Sequence, residues 1–180
     1  MTPTKLRALD AAIELLGTAG LRALTHARVD DRAGIPKGST SNYFRTRAAL
    51  LSGAVDRIVD REMSEIGPDR PPASASELVE MLCRLLESAT TTHRTLTTAR
   101  LVLFMEASHN PALRETVSRG RVAMESAFIP VLALLGAQDP QTAASAIAAS
   151  YEGLLLHRIA RHDCTDPRPT FELVVRAALS

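Results

Sequence analysis

Two cysteines in 180 residues, Cys83 and Cys164, are too few and too far apart to staple a small scaffold. Each is read as a core residue or a surface thiol in a reducing compartment. Although 46% of the residues are apolar, no uninterrupted apolar run is long enough to span a bilayer, so the chain is read as soluble and globular with no membrane partner. The first ten residues, MTPTKLRALD, are charged and lack the apolar core of a signal peptide, which points to the cytoplasm. The histidines at 26, 93, 109, 157 and 162 share no metal-binding spacing, and His157 and His162, five apart, fall on diverging helix faces. Neither a metal nor another cofactor is expected. A Gly-x-Ser-x-Gly elbow is missing, and no Cys–His or paired-carboxylate arrangement stands out, so an enzyme, with hydrolase-like activity as its least strained version, is the weaker alternative.

Charge of one sign is also scarce overall, the formal net charge being +1. Its distribution is uneven. Residues up to Arg47 carry eight Lys/Arg against four Asp/Glu, or +4, whereas the rest carries thirteen against sixteen, or −3. A basic first third followed by an acidic remainder suits a chain that meets a polyanion at one end.

Within that basic third, THARVDDRAGIPKGSTSNYFRTRAALL (25–51) reads as two short helices around a glycine turn, followed by a third helix. The Thr25 hydroxyl is placed to cap a helix over Ala27–Ala33, which Gly34 ends by taking positive φ at little cost. Pro36 suits the start of a new helix running to about Tyr43. Lys37, Ser39, Thr40, Ser41, Asn42 and Tyr43 are nearly all hydrogen-bond formers, which is odd for packing and natural for meeting base edges and phosphates. Phe44 is the exception and is expected to point inward against Leu16, Val29 and Leu50. The glycines here lack the spacing of a P-loop and follow no strand.

These residues in this order resemble the DNA-binding segment of the TetR family of transcriptional regulators. The resemblance rests on the helix capped by Thr25, the Ala33-Gly34-Ile35 turn, Lys37-Gly38-Ser39 opening the recognition helix, Tyr43-Phe44 closing it, and Arg47 with Leu50-Leu51 beginning the next helix. It extends over a first helix whose Leu6, Leu9, Ile13 and Leu16 share one face, and so covers roughly the first third. Beyond about Ile66 it is a likeness of helical layout and length. Two positions depart from the common pattern: Ser41 stands where an aromatic is frequent, and Asp30 where a small apolar residue is usual. A carboxylate at a helix contact needs a partner, for which Arg45 or Arg47 is expected.

The remainder shows helical patterns only, with neither strand alternation nor repeats. Helices are expected over about 47–66, from a Ser76 cap to Ala89, over 95–108, over 111–135 with a kink or break near Phe128 caused by Pro130, over 140–161, and from 169 or 170 to 179. The segment from Gly67 to Ser74 reads as a linker. The fold class is therefore all-α, about nine helices, with a helix-turn-helix DNA-binding domain at 1–47 and a helical ligand-binding and dimerisation domain at 48–180.

The resemblance implies a one-component regulator, most simply a repressor, that binds a near-palindromic operator in double-stranded DNA as a homodimer and releases it when a small effector binds. Thr25 and Tyr43 are expected at phosphates, with Arg28 and Arg47 adding charge to the backbone grip. Lys37, Ser39, Thr40 and Asn42 are expected at base edges, with Gly38 allowing close approach. Leu82, Leu86, Phe104, Met105, Met124 and Phe128 are candidate walls for a mostly hydrophobic effector, whose polar handle would meet Arg121 or Tyr151. Leu101 to Met105 is apolar enough for a fully central helix. Leu155, Arg158, Ile159, Phe171 and Val175 are the expected dimer contacts. The main alternative is an architectural or interaction protein that binds DNA without reading its sequence.

Overall fold

A computed structural model describes residues 2–66 and 71–180, so that 67–70 of the expected linker lie outside the described residues. Nine α-helices are present among the described residues, with no strand. They are α1 (Pro3–Ala19), α2 (His26–Ala33), α3 (Ser39–Tyr43), α4 (Arg47–Ile66), α5 (Ala75–Thr90), α6 (Arg94–Ala107), α7 (Pro111–Leu134), α8 (Pro140–Ala160) and α9 (Arg168–Ala178). No helix among the described residues is long and apolar enough to cross a membrane.

Most boundaries fall where local chemistry puts them, and three differ from expectation. The cap of α5 is Ser74 rather than Ser76: its hydroxyl accepts from the Glu77 N–H at 3.2 Å, while the Glu77 carboxylate accepts from the Ala73 N–H at 2.8 Å. This reciprocal pair is worth more to the helix end than a lone serine. Helix α3 starts at Ser39, two residues after Lys37, because Pro36 to Gly38 form a turn closed by the Ser39 N–H on the Pro36 carbonyl. Helix α7 runs unbroken past Pro130, whose missing donor falls on an exposed side where water can satisfy the orphaned carbonyl.

The chain divides into two compact units, Met1–Glu62 with Thr95–Gly120, and Met63–Arg94 with Arg121–Ser180. The core of the first is built on Leu9, Ile13 and Leu16 of α1, Val29 of α2, Phe44 just after α3, Leu50, Leu51, Ala54 and Ile58 of α4, and Leu96, Ala99 and Leu103 of α6. Phe44 is buried in the same cluster as Leu16, Val29 and Leu50, as its sequence context requires. Helix α6 is less central than its apolar run suggests. It buries one side, Leu96, Thr97, Ala99, Arg100, Leu103 and Ala107, and leaves Met105 71% exposed. In the second unit α5, α8 and α9 pack on one another around Leu78, Leu82, Leu86, Ile147, Leu155, Phe171 and Val175.

In the first unit α1 passes so close to the start of α6 that only glycine fits at position 17. A Cβ there would lie 2.1 Å from the Thr95 carbonyl oxygen and 2.8 Å from its Cγ2. Backbone cannot swing aside as a side chain would. Gly17→Ala is therefore expected to destabilise the protein by about 1–3 kcal/mol despite the higher helix propensity of alanine. Urea denaturation checks this, and an unchanged or higher midpoint would show that the two helices have room to separate.

Candidate nucleic-acid interface

Helix α2 opens at Thr25, whose hydroxyl accepts from the Arg28 N–H at 3.2 Å, and closes at Gly34 with φ 59° and ψ 41°. That left-handed conformation favours glycine and reverses the chain within one residue. Arg7 of α1 holds the reversal from outside, its Nη2 donating to the carbonyls of Ala33 at 2.5 Å and Gly34 at 3.1 Å. A second left-handed glycine, Gly38 at φ 87°, is the N-cap of α3 and offers no side chain to satisfy the helix's first donors.

Asp30 supplies what Gly38 lacks. Its side chain is buried in a residue only 2% exposed. Oδ2 accepts from the Gly38 N–H at 2.7 Å, and Oδ1 accepts from both the Thr40 N–H at 2.8 Å and the Thr40 hydroxyl at 2.6 Å. The expected partners Arg45 and Arg47 are not the ones used. Arg47 Nη2 donates to the Leu21 carbonyl at 2.7 Å, and Arg45 is exposed. Burial by itself would raise the Asp30 pKa, but the Thr40 hydroxyl and N–H, the Gly38 N–H and the charge of His26 outweigh it and hold the carboxyl below the usual aspartate value.

The far end of α3 is held from the same side of α2. His26 Nε2 lies 2.7 Å from the Phe44 carbonyl, and since a carbonyl can only accept, Nε2 carries the proton. Phe44 is the C-cap residue of α3, and the Lys5 ammonium lies 5.4 Å from the centre of its ring. Arg7 and His26 were not singled out in the sequence. Their partners are carbonyls, which every residue has.

These clamps decide which way the polar side chains of α3 face. Lys37, Gly38, Asn42, Tyr43 and also Ser41 are exposed, Tyr43 by 40%, and Ser39 is half-buried. Thr25, Arg28 and Arg47 are exposed beside them in sequence and in the same unit. Thr40 is a correction. It is 0% exposed and its hydroxyl donates to Asp30, so it cannot meet a base edge.

Electrostatics favour the same surface. Glu14 pairs with Arg32 through both carboxylate oxygens, and Asp10 pairs with Arg57 at 2.9 Å. With Asp30 buried, three of the four acids before Arg47 are neutralised or enclosed, while Arg28, Lys37, Arg45 and Arg47 remain exposed. An exposed, donor-rich short helix held against a capped partner helix and flanked by basic side chains is a helix-turn-helix DNA reader.

Comparison with known proteins agrees. Residues 8–54 match the model of the bacterial regulatory proteins of the tetR family, and residues 73–180 match the tetracyclin repressor-like C-terminal domain. The chain belongs to the TetR family and is a transcriptional regulator. It is 24% identical over 161 residues to the HTH-type transcriptional regulator BetI of Rhizobium meliloti, covering 88% of this chain and 79% of that one. Among solved structures, a TetR transcription regulator from Haloarcula marismortui shares the fold with a TM-score of 0.83 at 16% identity over 100% of both chains. The multidrug binding protein EbrR complexed with ethidium matches with a TM-score of 0.80 at 21% identity, covering 98% of this chain and 99% of that one. Regulators of this family bind DNA and small-molecule effectors, typically as dimers.

The candidate effector residues do not assemble as expected. A cavity of about 550 Å³ in the second unit is lined by Glu65, Pro71, Pro72, Glu77, Glu80, Met81, Arg84, Leu85, Ser88, His93, Ala127, Phe128 and Val131. Of the predicted walls it includes Phe128. Leu82 and Leu86 turn into the core, one helical step from Met81 and Leu85, which face the cavity instead. Phe104 and Met105 belong to the first unit, where the Arg100 guanidinium covers the Phe104 ring at 5.5 Å. Met124 is half-buried. Tyr151 stacks on Phe171 at 6.2 Å, and Arg121 is engaged by Glu125 and Glu152 at 2.8 Å each.

The candidate dimer residues are likewise redistributed. Leu155, Phe171 and Val175 are core residues of the second unit, and Arg158 and Ile159 are half-buried, Arg158 pairing with Glu87 at 2.7 Å. The positions that stay exposed on α8 include Ala146, Ala149, Gly153, Leu156, His157 and Ala160, and on α9 Leu173 and Ala177. Helix α8 is apolar on nearly every side, so its pattern does not say which side turns in.

Asp30 has a consequence for acid stability. Because its folded pKa lies below the unfolded value, its stabilisation is complete above the ordinary aspartate range and is lost as pH falls through the lower folded value. The melting temperature of the wild type should therefore exceed that of Asp30→Asn most at neutral pH, with the gap closing between about pH 5 and pH 2. Parallel melting curves over that range, with a constant gap, would show that the carboxylate's charge is not what stabilises α3.

Proposed function

We propose that this regulator binds a near-palindromic operator as a homodimer, represses from it, and leaves it when a small molecule occupies the second unit. The observation that carries the reading is the row of exposed Lys37, half-buried Ser39 and exposed Asn42 and Tyr43, running from the turn before α3 along a recognition helix fixed at both ends. Lys37, Ser39 and Asn42 read base edges at the helix start, while Thr25, Arg28, Tyr43 and Arg47 hold phosphates on either side. Gly38 keeps its role at the helix start through its φ of 87°, which lets the chain turn into the groove. Functionally, residues up to about 47 read DNA and those beyond carry ligand and dimer contacts.

The dimer forms through the exposed face of α8 and α9. Leu156 is 47% and Leu173 61% exposed, and Ala146, Ala149, Gly153 and Ala160 around them are small enough for a second helix pair to approach closely. A twofold axis there is expected to set the recognition helices about 34–36 Å apart, one DNA turn. Leu156→Glu or Leu173→Glu should give monomer with an intact fold in sedimentation, and a dimer unchanged in both would overturn this face.

The effector enters the cavity whose apolar walls are Met81, Leu85, Phe128 and Val131 and whose polar groups are Glu65, Glu77, Arg84, Ser88 and His93. A neighbour in fold is known with ethidium bound, which supports a mostly hydrophobic ligand of similar bulk. Helix α4 has residues in both units and is the element through which binding is felt at the recognition helix.

One set of binding measurements tests both sites. On an operator fragment selected by the wild type from random duplexes, Lys37→Ala and Tyr43→Ala should each weaken binding by about 1–3 kcal/mol without altering the dimer. Phe128→Trp, which fills the cavity, should leave that affinity within about twofold while abolishing the thermal shift given by compounds that stabilise the wild type. Unchanged operator binding by both α3 variants would overturn the DNA assignment, and an unchanged thermal shift would overturn the cavity.

A further inference from the structure

Asp30 lies on the side of α2 away from solvent and touches no surface that DNA could reach, its exposure being 2%. Its carboxylate nevertheless takes three donors from the start of the recognition helix: the N–H groups of Gly38 and Thr40 and the Thr40 hydroxyl, at 2.6–2.8 Å. We propose that Asp30 is a positioning residue for DNA reading, its carboxylate fixing the pose in which Lys37, Ser39 and Asn42 meet the bases. The inference rests on the assignment of α3 as a sequence reader and names what sets its specificity.

Three observations carry it. First, α3 has five residues, and the backbone bonds that tie its ends to the flanking chain are Asn42 N–H to the Gly38 carbonyl and Phe44 N–H to the Thr40 carbonyl. A helix of one turn is not stable alone and takes its conformation from its supports. Second, its N-cap residue, Gly38, has no side chain, so the donors at its start depend on Asp30. Without Asp30 the Thr40 hydroxyl and N–H would be enclosed with no acceptor, and the chain would move to bring them to water. Third, His26 and Asp30 are four residues apart on α2, so one helix face grips both ends of α3. The end held by His26 is also anchored by the buried Phe44 ring. Loss of the carboxylate therefore frees the N-terminal end, where Lys37 and Ser39 stand.

Electrostatics and positioning predict opposite signs. Replacing Asp30 by asparagine removes a negative charge from the DNA-facing unit, which alone would tighten binding to any duplex. Positioning requires the selected sequence to be bound more weakly, because asparagine turns an NH₂ group toward donors that need an acceptor.

The test compares wild type, Asp30→Asn, Thr40→Val and Thr40→Ser by fluorescence anisotropy. The probes are an operator fragment enriched by the wild type from a random duplex library and a shuffled duplex of the same composition, at 50–200 mM salt. Asp30→Asn should lose about tenfold or more on the enriched fragment and bind the shuffled one as well or better. Thr40→Val, which keeps the shape and drops the hydroxyl, should lose several-fold of the same ratio, and Thr40→Ser should restore it. An Asp30→Asn ratio within about twofold of wild type, or a parallel change on both duplexes, would overturn the proposal. Should Asp30→Asn fail to fold by circular dichroism, the threonine pair decides: equal ratios for valine and serine overturn it, and a loss confined to valine supports it. If the wild type enriches no sequence at all, the assignment of α3 as a reader fails and this inference with it.

Discussion

The recognition helix of this regulator is a single turn, and a buried carboxylate holds it in place. Desolvating Asp30 costs several kcal/mol in the absence of partners, so its presence in the core is possible only because three donors converge on it. Those donors have the reciprocal need. Gly38 takes a left-handed conformation that turns its own N–H toward Asp30, and glycine brings no side chain to serve Thr40 in its place. Donor and acceptor are each expensive to bury alone and satisfied together, which makes the contact nearly all-or-none. Thr25, Gly34 and Arg7 shape the preceding turn so that the two sides arrive within 2.8 Å.

The same arrangement removes negative charge from the DNA side. Asp30 faces inward, Glu14 pairs with Arg32 and Asp10 with Arg57, so three of the four acids before Arg47 contribute to packing rather than to repulsion of phosphate. Each of these pairs also ties α1 to another helix, with Glu14 reaching α2 and Asp10 reaching α4. The exposed pair with Glu14 contributes little stability by itself. Its larger effect is on the field, since a surface with Arg28, Lys37, Arg45 and Arg47 uncompensated attracts a polyanion at long range.

Local rules made much of this legible in the sequence. Thr25, Gly34 and Phe44 obey preferences that depend on a residue and its near neighbours, and they fall where those preferences put them. The family assignment follows from their joint order. Contacts made by backbone were not legible: a carboxylate at position 30 suggests a cationic partner, whereas the donors used are mostly N–H groups, which no residue letter reveals. Thr40 was misread for a related reason. Five residues are too few for a period to separate an inward from an outward face, and a hydroxyl suits either. In α5 the apolar pattern is wide enough that Met81 and Leu85 could exchange roles with Leu82 and Leu86, so the candidate walls chosen from the pattern lie one step from the residues that line the cavity.

Helix α8 poses that ambiguity in its strongest form and also suggests its resolution. A helix apolar on nearly every side has to be covered on nearly every side. Within the chain, α5 and α9 cover the side bearing Ala143, Ala144, Ile147 and Leu155. The side left open is not a random remainder: Ala146, Ala149, Gly153, Leu156 and Ala160 recur at steps of three and four, the spacing of one straight helical stripe. Small residues at such steps allow backbones to come close, and one large apolar residue among them, with Leu173 from the neighbouring helix, supplies area to bury. A stripe of this kind is self-complementary under a twofold axis, since each small position can receive the leucine of the other copy. On the proposed reading, the residues that sequence periodicity favoured are thus those that build the second unit, and the weaker, smaller side of the same helix is the one left to bring two copies together.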